Sequence, residues 1–170
     1  MANVTPKEMA KRGIVSGTYG HRLEVLNNML ELSKKKPTFM ERGQYLNIAY
    51  AYIEEILVGL IAHHELPMDA NPDRESDDTH RYHEAVLKAI KNSSQTELRF
   101  LRGPVAPMLA DAKRFRNEYK DYKKTNSEDG EALRPTLEAM ADSFETGFPM
   151  IYKALKEAVR KSGLMGNRLN

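Results

Sequence analysis

The sequence predicts an all-α fold, a single-domain bundle of five to seven helices with a central apolar helix at about residues 39–65. Three observations predict it. Apolar residues recur at three- and four-residue spacing along most of the chain. Serine- or threonine-led capping boxes precede several of those stretches. No run of four or more residues alternates with a period of two, so strands have no support.

The elements follow in order. Thr5-Pro6-Lys7-Glu8 is a capping box with proline at the first helical position, which predicts a short helix ending near Gly13. Residues 1–17 read as an N-terminal appendage. Thr18 to Gly20 read as a turn. Leu23, Leu26, Met29, Leu30 and Leu32 then mark a helix that Lys34, Lys35 and Lys36 favour at its C-terminal end and Pro37 stops. Thr38-Phe39-Met40-Glu41 is a second box. It opens the longest segment, where Tyr45, Leu46, Ile48, Ala49, Tyr52, Ile53, Ile56, Leu57, Leu60 and Ile61 cover more than one face. Such a helix needs neighbours on several sides.

Residues 67–78 read as a loop, with Asp77 or Asp78 capping a helix over about 79–92 whose face is Tyr82, Ala85, Val86, Ala89 and Ile90. Ser94-Gln95-Thr96-Glu97 is a third box, opening a short helix that Gly103-Pro104 breaks. A helix at about 105–124 carries Met108, Leu109, Ala112, Phe115, Tyr119 and Tyr122 on one side. Residues 125–130 read as a polar turn, with Pro135 in the first turn of the next helix. Gly147 and Pro149 predict a kink or break there. Ile151, Leu155 and Val159 lead on to Gly163 as a C′ glycine, and 164–170 read as a flexible tail.

Composition narrows the functions. The 170 residues carry a formal charge of +2 and no cysteine, which excludes disulfide scaffolds, zinc–thiolate sites and cysteine nucleophiles. The N-terminal stretch shows no apolar h-region, and the longest uncharged apolar run, Ile56 to Ala62, falls short of a membrane span. The expectation is a soluble, cytoplasmic protein with no membrane association. Glycine-rich phosphate loops, a His-Glu-x-x-His helix and a nucleophile elbow are all missing from the sequence.

Charge is segregated. Residues 65–84 hold seven acids against two arginines, and 99–124 hold eight bases against three acids. Residues 128–145 are again acidic and 153–168 basic. Complementary helix faces explain this pattern, and so does a basic surface for an anionic partner. On the second reading the surface is the 99–124 segment, with Arg114, Arg116, Asn117, Lys120, Lys123 and Lys124 as the contacting residues.

Two further constellations stand out. Asp77, His80 and Glu84 share a helix face, with His63-His64 within reach across the loop, a pattern that can be solvated surface or a cation site. No second Glu-x-x-His pair completes a bundle metal site, so neither metal nor cofactor is expected. Glu54-Glu55 interrupts the central apolar helix. One carboxylate there should be partly buried, and an ion pair with an arginine of the 105–124 helix such as Arg116 is the expected partner.

The stretch from Arg42 to Ile61, followed much later by Arg116-Asn117-Glu118-Tyr119-Lys120-Asp121, resembles HEPN-type helical bundles, most nearly the branch that includes the mannitol operon repressor. Arg116, Asn117 and Tyr119 match an arginine, asparagine, aromatic and histidine string of that branch, and Asp121 stands at the histidine position. The resemblance implies dimerisation or partner docking through helix faces. It also implies an alternative, a metal-independent ribonuclease or RNA-binding protein in which arginine and histidine act at a phosphate. Aspartate, with an ordinary pKa of about 3.9, does not replace that histidine as an acid at neutral pH.

The leading expectation is therefore a non-catalytic interaction protein. It binds a protein or ribonucleoprotein partner through charged helix faces, with a homodimer and RNA contact as possibilities, as would suit a mobile-element or phage regulator or inhibitor. A metal-dependent helical-bundle enzyme is the third alternative.

Overall fold

The computed structural model describes residues 18–35, 37–68, 79–123 and 127–168. Within them lie α1 (Tyr19–Ser33), α2 (Phe39–His63), α3 (Thr79–Asn92), a 3₁₀ turn (Thr96–Leu101), α4 (Val105–Tyr122) and α5 (Ser127–Lys161). The described residues contain no strand, and the fold is an all-α bundle. The 5–13 helix, the cap at Asp77 or Asp78 and most of the 67–78 loop lie outside the described residues, as do Lys36, Lys124 and the end of the chain.

Helix starts follow the chemistry of their caps. Thr38 accepts from Glu41 N at 3.2 Å, as its box requires. Thr18 does the same for His21 N at 3.1 Å, so what reads as a turn is the N-cap of α1. The third box is displaced. Ser93 accepts from Gln95 N at 3.1 Å, and the turn that follows is 3₁₀ rather than α. Arg102 holds this turn by donating to the carbonyls of Ser93 and Gln95.

Helix α2 is the centre, packed against α1, α3, α4 and α5. By length and composition it could cross a membrane, yet most of its apolar surface is buried against these neighbours. Leu46, Tyr50, Ile53, Ile56, Leu57 and Leu60 are fully buried. Gly43 permits its closest approach to α4, because a Cβ there would sit inside the Tyr119 ring. Tyr119 Oη donates to Met40 O at 3.3 Å, and Arg42 reaches across to Asp142 and Glu145, each at 2.6 Å.

Two readings from sequence are corrected in the last helix, its start near Pro135 and its break at Pro149. Helix α5 begins at Ser127, eight residues before Pro135, and continues through Pro149 to Lys161. Pro149 and Met150 face solvent, while Phe144, Phe148, Ile151 and Leu155 are buried. A proline on the outer face of a packed helix frees a carbonyl that solvent can reach, and burial on the inner face outweighs its cost of about 3 kcal/mol. Beyond the helix, Gly163 takes φ 71° and turns the chain back. Residues 164–168 are docked rather than trailing. Leu164 is buried, and Tyr19 N and Gly20 N donate to Asn167 O and Met165 O, both at 3.0 Å.

Candidate functional site

Helix α2 sets Tyr50 and Glu54 on the side toward α3, with 0% and 2% exposure, and Glu55 is 3% exposed. Both carboxylates are thus buried, where sequence spacing predicts one. Glu54 Oε2 contacts Nδ1 of His83, itself 5% exposed. The Tyr50 ring meets His83 edge-on with centroids 5.3 Å apart. Across this seam, α4 presents Lys113, Arg116 and Lys120, spaced to share one helix face.

Burial first, and then the fields of Arg116, Lys113 and Lys120, push the His83 pKa down to about 4. The ring is therefore neutral at pH 7. Its Nδ1 edge is turned to the Glu54 carboxylate. Sequence spacing points to an arginine of α4 such as Arg116 as partner of the central carboxylates. The structure makes His83 the direct neighbour of Glu54 and sets Arg116 within electrostatic range of that ring.

The residues chosen from sequence as a basic surface divide. Arg114 is 61% exposed at its side chain and lies 3.5 Å from Asp111. Lys123 is exposed, its Nζ 5.3 Å from the Tyr119 ring centroid. Arg116, Asn117 and Lys120 are half-buried and engaged in interactions of their own. The outward strip of α4 is Asp111, Arg114, Glu118 and Asp121, mixed in sign. Lys113, Arg116 and Lys120 turn toward α3, while Arg114 and Lys123 are exposed.

The histidine constellation does not assemble within the described residues. His63 is exposed, while His64 Nε2 and Ser162 Oγ lie 2.8 Å apart. Glu84 pairs with Lys113 at 3.1 Å. Asp77 and the His80 side chain lie outside the described residues, and among the described ones no three His, Asp or Glu side chains are grouped to hold a metal ion.

The feature that sequence reasoning missed is a groove of about 570 Å³ between α3, the 3₁₀ turn and α4. Leu87, Ile90, Leu101 and Leu109 supply apolar walls, and Ala106 and Ala110, one turn apart, are short enough to leave depth. Glu84, Lys88, Lys91 and Lys113 form the polar margin. One signal in the sequence points here. Leu87 is off the main apolar face of α3 and shares a second face with Glu84, Lys88 and Lys91.

No family model, curated protein or solved structure matches this chain. The seam and the groove therefore rest on their own chemistry.

Proposed function

We propose that this chain is a non-catalytic interaction protein that binds a macromolecular partner, a protein or ribonucleoprotein, through a charged helix face. The docking face in this reading is the groove between α3 and α4. The observation that carries it is the combination of an apolar trough with three lysines against one glutamate at its margin. Interfaces combine a desolvated apolar centre with a polar rim, and a rim whose net charge is positive steers a negatively charged partner. A regulator or inhibitor that occupies a face of a larger complex fits a chain with this equipment. The test is affinity capture from the native cell, with and without nuclease. The wild type is compared with Lys88→Glu/Lys91→Glu and with Arg114→Glu/Lys123→Glu. Capture should fall at least tenfold for the first pair and persist for the second. The opposite pattern moves the interface to the outer strip of α4.

One observation favours a second reading, the HEPN-like ribonuclease. His83 lies within electrostatic reach of Arg116 and so stands near the Arg116-Asn117 pair whose own motif has Asp121 in place of histidine. Against it, His83 is 5% exposed and neutral, which leaves no surface there for a phosphodiester. Incubation of purified protein with labelled RNA in chelator decides between them. Cleavage that Arg116→Ala abolishes supports the nuclease. No cleavage, or equal cleavage by the variant, removes it.

A further inference from the structure

The same groove has the dimensions and chemistry of a small-molecule site. Its volume of about 570 Å³ falls in the range that small-ligand pockets occupy, roughly 300–1,000 Å³. Its interior is mostly hydrocarbon, from Leu87 and Ile90 on α3, Leu101 of the 3₁₀ turn and Ala106, Leu109 and Ala110 on α4. Burying an apolar tail there is favoured in proportion to the apolar area removed from water. The charges are not scattered through the trough. Lys88 and Lys91 lie three residues apart on one face of α3, and Lys113 stands across from them beside Glu84. Lysine ammonium groups act as compact point charges on flexible stems. They can follow an anionic head without fixing its geometry, and their methylene stems can cover an adjacent tail.

Resting on the reading of this groove as the working face, we infer that it binds single-tailed amphipathic anions. An alkyl or aryl tail lies along the trough between α3 and α4. A carboxylate or sulfonate head sits at Lys88 and Lys91. The occupant is a small molecule, held in the groove that a macromolecular partner would also cover, so ligand and partner exclude each other.

The experiment uses the full chain and dodecanoate below its micellar concentration, with dodecyltrimethylammonium as the charge-reversed control. Binding is followed by calorimetry and by amide shifts. Dodecanoate should bind saturably, move amides of residues 84–92 and 101–113, and bind at least tenfold more tightly than the cation. Lys88→Glu/Lys91→Glu, exposed positions that leave the core untouched, should weaken it at least tenfold. Ala110→Leu should block it by filling the trough, with circular dichroism verifying the fold. Shifts confined to another face, equal binding of both amphiphiles, or indifference to the lysine variant would each overturn the inference. Partner capture that depends on the lysines while dodecanoate fails to bind removes this inference alone. Dodecanoate binding with lysine-independent capture removes the docking reading instead.

Discussion

Helix α3 is amphipathic, burying Val86, Ala89 and Ile90 and exposing Glu84, Lys88 and Lys91, yet it uses polarity differently in two places. Toward α2 it sets His83 against the buried Glu54 carboxylate, with Lys113, Arg116 and Lys120 of α4 close by. Beside that seam, Leu87 stands at the edge of the open apolar trough that α3 shares with the 3₁₀ turn and α4. The difference separates two uses of polarity. Inside, each polar group is costly unless matched, so a matched set fixes how α2, α3 and α4 meet. Outside, apolar walls beneath a charged margin cost the fold little and remain available to a ligand.

The comparison breaks most severely at Glu54. Glu54→Ala takes the carboxylate away from His83 and leaves a cavity in a closed seam, which should cost about 3 kcal/mol, read as a lowered urea midpoint. Glu54→Gln, which keeps the volume and an amide oxygen beside Nδ1, should cost less. Acid is the next lever. The unfolded histidine protonates near its ordinary pKa of 6.5, while His83 in the fold waits until about 4. The unfolded state therefore binds the extra proton between these values. The stability from a neutral His83 is fully present above pH 6.5 and is lost as pH falls toward 4, up to about 3 kcal/mol. Denaturation midpoints measured across that window should decline, and His83→Gln should flatten the decline.

A smaller effect is expected at Gly43. Alanine there drives a methyl into the Tyr119 ring, and displacing that ring should cost about 1–3 kcal/mol in thermal unfolding. Smallest of all, Arg114→Ala should stay within about 0.5 kcal/mol of wild type, because its pairing with Asp111 is exposed. A large loss there would place the outer strip of α4 among the structural elements.

The backbone was largely legible because its signals are local. Thr38 and Pro37 mark the start of α2, and the multi-sided apolar pattern of α2 identifies the central helix before any packing is seen. Failures came where tertiary packing overrides a local rule, as at Pro149, whose helix is held by burial on its opposite face. The site was less legible. A charge count registers eight bases in residues 99–124 but not which way they turn, and helical spacing sends Lys113, Arg116 and Lys120 toward α3. Helical spacing marks the Glu54-Glu55 pair as holding a carboxylate that needs a partner, but not that the partner of Glu54 is His83. The groove arises from the separation of two helices and the shortness of Ala106 and Ala110, and neither leaves a motif.

Hydrogen–deuterium exchange on the chain alone and on its captured complex tests the central claim most directly. With the groove as the working face, partner binding should slow exchange in residues 84–92 and 101–113 and leave 114–123 at its free rate. Protection concentrated in 114–123, with the groove unchanged, would contradict it.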